Sequence, residues 1–198
     1  MGVTDGVYRT RAGYTGGESK FPTYHNLENH TEALQVDFDL NVISFEEVVE
    51  IFWNNHNPLR KGLSRQYMAA VWYHDDAQRK IIERTRDSVA SKLGQDVQTP
   101  VLPLDVFYLA EGYHQKYRLQ QSPSLLKHFA RMYSDAEAFV NSTVAARLNG
   151  FLYGYGSREL FERECAGYGI PVDELRQAIH FRESQDNSET CGSGQCSI

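Results

Sequence analysis

Cysteine is scarce in this chain. There are three in 198 residues, Cys165, Cys191 and Cys196, which are too few and too C-terminal for a disulfide framework. A zinc site is disfavoured as well, because no further Cys or His pair stands at ligand spacing. Hydrophobic runs are short, and none approaches the ~18 consecutive apolar residues of a membrane span. The first residues lack the basic-then-apolar pattern of a secretory signal. Positive charge is in deficit, with 20 Lys and Arg against 26 Asp and Glu, a formal charge of −6 and a pI near 5.6. Nucleic acids and anionic membranes reward clustered cations, so neither is an expected partner. These absences predict a soluble, cytoplasmic protein without a metal or cofactor.

What is present is a hydrophobic fraction of 41%, enough for one main domain with an appendage. From Thr31 to Leu40, Ala33, Leu34, Val36, Phe38 and Leu40 stand against Gln35, Asp37 and Asp39, the period of a half-buried strand. Ser44 and Glu47 form a capping-box pattern before an amphipathic series of Phe45, Val48, Val49, Phe52 and Trp53. That helix should stop before Pro58. The apolar run within residues 66–73 reads as a buried strand, and Asp75 and Asp76 as caps for a helix through Leu93 that Gly94 closes. Residues 101–108 read as another strand, with Pro103 at an edge or bulge. Strand, helix, strand, helix, strand in that order predicts an α+β or α/β sandwich with helices packed on a sheet. Beyond about Tyr117 the pattern becomes helical, with starts at Ser122-Pro123, Ser134-Asp135 and Pro171.

One tract gathers groups suited to a small polar ligand. Gly13-Tyr14-Thr15-Gly16-Gly17 reads as a glycine turn, and Tyr24 and Glu32 follow within twenty residues. Glu32, Tyr24 and Tyr67 form the best chemical constellation. A carboxyl at a strand start, desolvated by two phenols, can act as a proton donor at neutral pH. The cluster of Glu111, Tyr113, His114 and Tyr117 at the end of a strand is a second candidate. Cys191 and Cys196 lie in a polar, glycine-containing tail, where they can act as exchanging thiols or stand idle.

The ordered set Gly13-Tyr14-Thr15-Gly16-Gly17, Pro22-Thr23-Tyr24, His30-Thr31-Glu32-Ala33, Phe52-Trp53-x-x-His56-x-Pro58, Arg65-Gln66-Tyr67 and Tyr108-x-Ala110-Glu111-x-Tyr113-His114-Gln115-x-Tyr117 resembles the peptide methionine sulfoxide reductase A family. The resemblance spans about residues 7 to 120 and looks like the longer form of the family. It implies a ferredoxin-like two-layer α+β sandwich over 1–120, incomplete at the N-terminus, then a helical extension over 121–183 and a mobile tail over 184–198. It further implies a cysteine thiolate that attacks the sulfoxide sulfur, with Glu32 protonating the oxygen, Tyr24 and Tyr67 assisting, and Trp53, His56, Glu111 and His114 lining the pocket. Cys191 and Cys196 resemble recycling cysteines that pass a disulfide to thioredoxin. A monomer acting on the S-epimer, in oxidised proteins or as free methionine sulfoxide, is the implied enzyme.

Two departures stand out. The family's Gly-Cys-Phe-Trp-Gly nucleophile motif is not found in this sequence, and Gly62 stands where many members have Asp, with Ser64 or Arg65 as candidate substitutes. The first departure predicts a form truncated at an internal methionine, its Cys or selenocysteine encoded upstream. The alternative is a non-catalytic module that binds methionine sulfoxide.

Overall fold

The structure, a computed structural model, describes residues 1–62 and 64–181. It is a mixed helix and sheet fold whose strands are short and whose helices dominate the C-terminal part. Strand β1, Val7–Thr15, is central in a three-stranded antiparallel sheet of order β2-β1-β5, between β2, Thr31–Phe38, and β5, Phe107–Leu109. Strands β3, Val71–Tyr73, and β4, Val101–Pro103, form a separate parallel pair.

β1 is absent from the sequence expectation, which placed a glycine turn at its end. The chain instead runs extended through Gly13, Tyr14 and Thr15, pairing with Leu109, Tyr108 and Phe107 on one side and Ala33, Glu32 and Thr31 on the other. The turn begins one step later, at Gly16 with φ +78°. Gly13 serves close approach: a Cβ there would stand 2.2 Å from Phe107 Cζ and 2.4 Å from the Tyr108 carbonyl oxygen.

Helix α1, Phe45–Asn54, starts as expected, with Ser44 and Glu47 exchanging both bonds of the capping box. Helix α2, Asp76–Leu93, is capped by Asp75 and closed by Gly94 in the left-handed region. Val49 and Trp53 of α1 meet Ile82 of α2, with Val71 and Val101 of the parallel pair packed beneath.

Three expected elements are shorter or divided. Only Val71–Tyr73 of the predicted strand 66–73 is extended; residues 64–67 are turned aside to hold the loop before β2. The predicted strand 101–108 is two strands in two sheets, because Pro103 ends β4 and Leu104 donates its N–H to Tyr73 before the chain turns. The helix expected from Asp135 breaks into α5, Ala136–Asn141, and α6, Thr143–Leu152, since Ser142 leaves helical geometry to cap α6 through Ala145 N–H.

Around α5 and α6 pack α3, Tyr117–Gln120, α4, Pro123–Met132, α7, Arg158–Glu164, and α8, Val172–Ala178. Thirteen buried residues, among them Leu125, Leu148, Phe151, Phe161 and Leu175, form one continuous helical core. Each such large side chain contributes about 1.5–3 kcal/mol, so most hydrophobic stabilisation lies here rather than in the smaller clusters by the sheets. The core also reaches back to the start of the chain. Val3 packs against it, and buried Arg147 donates to the Gly2 and Thr4 carbonyls while pairing with Glu164 at 3.0 Å.

Candidate functional site

Four segments converge on one end of the antiparallel sheet. Glu32, the second residue of β2, stands directly opposite Tyr14 of β1. The loop between those strands brings Tyr24. Residues 64–67 bring Gln66 and Tyr67, and the 3-10 turn Gly112–His114 after β5, with Glu111 at its start, brings Glu111 and His114.

The loop carrying Tyr24 is held by His30, which is fully buried. His30 Nδ1 accepts from Gly17 N–H at 3.2 Å, which leaves Nε2 to donate to the Ser19 carbonyl at 2.9 Å. A tight Thr23–Asn26 bridge shapes the tip, and buried Leu27 packs with Tyr14 and Ala110 beneath Tyr24. The loop is tied to the 64–67 segment by Arg65, whose guanidinium donates to the Asn29 and Gly16 carbonyls, and by Thr31, whose hydroxyl donates to the Arg65 carbonyl at 2.8 Å.

Gln66 and Glu32 are joined twice. Glu32 N–H donates to the Gln66 carbonyl at 2.9 Å, and Gln66 Nε2 donates to Glu32 Oε1 at 2.9 Å. The same Nε2 donates to Tyr67 Oη at 2.9 Å, and Tyr67 Oη lies 3.4 Å from Tyr24 Oη. The result is a run of polar groups, Glu32, Gln66, Tyr67 and Tyr24. Tyr67 is 56% exposed and Glu32 half-buried, so the run opens to solvent.

Glu111 supports this run from behind. Its Oε2 accepts from Tyr14 Oη at 2.7 Å and its Oε1 from Tyr24 N–H at 3.0 Å. Burial works to raise the Glu111 carboxyl, but the Tyr14, backbone and Tyr24 hydrogen bonds and the nearby His114 outweigh it and hold the group below its ordinary value. Burial, then the Glu111 carboxylate, pushes the Tyr14 phenol well upward. The two partners agree: an ionised carboxylate is held by a neutral phenol. Tyr67 is pushed up to about 12, first by its hydrogen bond with Tyr24 and then by burial and its charged neighbours. Its phenol is therefore a neutral donor at physiological pH. His114 lies tilted against Tyr24 at 4.8 Å between ring centroids, and its buried Nε2 finds no hydrogen-bond partner among the described residues.

The segment that follows fastens the sheet. Buried Gln115 accepts from Ala12 N–H and donates to the Ala12 and Ala110 carbonyls, continuing the β1 ladder beyond the end of β5. Lys116, 5% exposed with left-handed φ of 50°, sends its Nζ to the Thr10 carbonyl and hydroxyl.

The structure brings together Glu32, Tyr24, Tyr67, Glu111 and His114, but not Trp53 and His56. Trp53 faces inward from α1, 4% exposed, and its indole N–H donates to Thr85 of α2 at 3.0 Å. Its position four residues from Val49 puts it on the helix stripe that packs against α2. His56 donates from Nδ1 to the Phe52 carbonyl and meets Thr99 Oγ1 at 2.8 Å through Nε2. Burial lowers the His56 pKa. An open depression of about 650 Å³ beside it is lined by residues 54–59, Leu93 and Tyr155, and includes none of the convergent group. Trp53 thus lies in the α1–α2 packing and His56 at its margin, apart from the convergent group.

Gly62 accepts no side chain as the loop stands, because a Cβ would lie 2.5 Å from Met68 Cβ and 2.6 Å from Met68 Cα. Neither expected substitute reaches the carboxyl: Arg65 is committed to carbonyls, and Ser64 Oγ accepts from Tyr67 N–H. Gln66, which stood in the Arg65-Gln66-Tyr67 motif without a role assigned to it, is the residue that contacts the Glu32 carboxyl. Cys165 is buried in the helical core, with its thiol toward the Glu162 carbonyl. Cys191 and Cys196 lie outside the described residues.

Residues 1–148 match the family model described as peptide methionine sulfoxide reductase, and residues 134–174 match that of the selenoprotein methionine sulfoxide reductase A helical domain. A peptide methionine sulfoxide reductase of Drosophila melanogaster is 36% identical over 190 residues, 95% of this chain and 76% of that protein. One from Methanococcoides burtonii is 38% identical over 124 residues, 57% of this chain and 81% of its own. The fold is similar to that of reduced Mxr1 from Saccharomyces cerevisiae, with a TM-score of 0.55 and 27% identity over 60% of this chain and 74% of that one. With strands, helical extension and convergent carboxyl and phenol groups in place, the chain belongs to the peptide methionine sulfoxide reductase family.

Proposed function

We propose that this chain serves the reduction of methionine sulfoxide, in proteins and as the free amino acid, and that Glu32, Tyr24 and Tyr67 hold and protonate the sulfoxide oxygen. The supporting observation is the connected run of Glu32, Gln66, Tyr67 and Tyr24 at one opening, with the Tyr67 phenol a neutral donor. A sulfoxide oxygen leaves poorly until it gains protons, so donors placed where that charge develops lower the barrier. Glu111 and His114 form the wall behind Tyr24.

In this reading a thiolate or selenolate attacks sulfur, the oxygen passes to it with a proton from Glu32, and methionine leaves. A second thiol then displaces water to form a disulfide, which a dithiol such as thioredoxin reduces. Cys191 and Cys196 take the recycling role. Cys165 is unsuited to it, being sealed in the helical core. Among the described residues no helix is long and apolar enough to cross a membrane. A cytoplasmic monomer responding to oxidative damage, selective for the S-epimer and built as a reductase-like part over 1–120, a helical extension over 121–183 and a tail over 184–198, completes the proposal.

The test is titration of the purified chain with N-acetyl-methionine sulfoxide methyl ester, each epimer separately, followed by NMR. The expected result is saturable binding that prefers the S-epimer, weakened about tenfold or more by Glu32→Ala, the size of one lost charged hydrogen bond. Equal binding of both epimers, or wild-type affinity in the variant, defeats the reading. Binding without turnover in dithiothreitol assigns the module a recognition role instead.

A further inference from the structure

We propose that Gln66 is a positioning residue that decides which atoms of Glu32 and Tyr67 present a proton to the ligand. The inference rests on the function proposed above and extends it to a residue with no assigned part.

The geometry constrains hydrogen positions. A primary amide nitrogen has two hydrogens and no acceptor capacity. Gln66 Nε2 has two oxygen neighbours at the same 2.9 Å, Glu32 Oε1 and Tyr67 Oη, so each takes one hydrogen. Were the amide reversed, its carbonyl oxygen would face an ionised Glu32 oxygen, which also can only accept. The observed orientation is the one that satisfies the carboxylate.

Two consequences follow from counting. When Glu32 is protonated, Oε1 is already an acceptor, so the acidic hydrogen sits on Oε2. Tyr67 Oη likewise accepts from Gln66, which leaves its only O–H free to turn outward. Among the described residues its side-chain alternative is Tyr24 Oη at 3.4 Å, a long contact that an incoming oxygen can replace at little cost. The backbone bond from Glu32 N–H to the Gln66 carbonyl holds the two residues in register, so the amide cannot drift from the carboxyl it orients. Gln66 itself transfers nothing. It fixes two donors toward one point, where each would otherwise bond to the other or to water.

The test uses Gln66→Met, of similar length without a donor, and Gln66→Glu, of the same shape with an acceptor in place of the donor. In the ligand-free protein, the Tyr67 13Cζ resonance should move in Gln66→Met, because its oxygen loses a donated hydrogen bond. Binding of the S-epimer of N-acetyl-methionine sulfoxide methyl ester should weaken about tenfold in Gln66→Met. It should weaken further in Gln66→Glu near neutral pH and recover as pH falls through the ordinary carboxyl range of about 4–5, where the new group regains an O–H donor. A space-filling role would show no such recovery. Unchanged Tyr67 resonance and wild-type affinity in Gln66→Met overturn the inference, as do equal losses in both variants at every pH. If the wild-type chain binds neither epimer, the proposed function fails and the ligand-free Tyr67 resonance alone decides the role of Gln66.

Discussion

Lys116 carries an ammonium into a place that disfavours charge. Its pKa is lowered to about 8, first by burial and then by Arg11 and Arg9, against 10.5 for an ordinary lysine. The unfolded chain therefore holds a proton between pH 8 and 10.5 that the folded chain has released, so folding stability rises with pH across that window. Urea midpoints at pH values from about 7.5 to 9.5 should climb for the wild type relative to Lys116→Met. Parallel curves for the two proteins would sink the assignment.

The same scale shows what the sequence concealed about the site. Glu32, Tyr24 and Tyr67 were legible because a carboxyl and phenols advertise chemistry and stand in motifs. Gln66 stands in the same motif as Tyr67, yet a neutral amide advertises no chemistry and its role is visible only from two 2.9 Å contacts. Trp53 misled for the opposite reason. Its place near His56 resembles a motif, yet its helix phase turns the indole toward Thr85.

At the scale of elements, β1 is the strand on which the antiparallel sheet depends, and Gly13 is its tightest point. Adding one methyl group would drive Phe107 and the Tyr108 backbone away from β1. Gly13→Ala is expected to cost about 1–3 kcal/mol, the range for overpacking, read as a lower urea midpoint. An unchanged midpoint would mean that β5 can shift freely. The helices were legible in advance because Ser44, Asp75 and Gly94 mark their ends locally. β1 was not. Arg9 and Arg11 interrupt its apolar alternation, and both are half-buried with Asp37 on β2 pairing with them at 2.5 and 2.8 Å, a partner that strand pairing supplies. The break at Ser142 was equally hidden, since serine inside a helical pattern gives no sign of which turn it will cap.

At the scale of the whole molecule, Arg147 binds the helices to the segment that leads into β1, donating to the Gly2 and Thr4 carbonyls. Thr143 also donates to the Tyr8 carbonyl, and Arg11 reaches Asn141. Arg147→Met would leave two carbonyls without their donor and Glu164 with the Tyr168 hydroxyl and the longer Arg163 contact, and should cost about 1–3 kcal/mol. Adding Glu164→Gln should restore part of that loss, because the carboxylate that has lost its nearest cation is then gone. A double-mutant cycle by urea denaturation checks the coupling, and strictly additive losses would show that Arg147 acts independently of Glu164.

The turn of residues 111–116 has a further consequence. Glu111 and His114 shape the opening, while Gln115 and Lys116 occupy the β1 edge that no strand covers. A fluctuation that frees this turn thus blunts the chemistry and bares unpaired backbone at one stroke. Loss of the site's shape and exposure of unpaired backbone would then arrive together, with no long-lived inactive form between them.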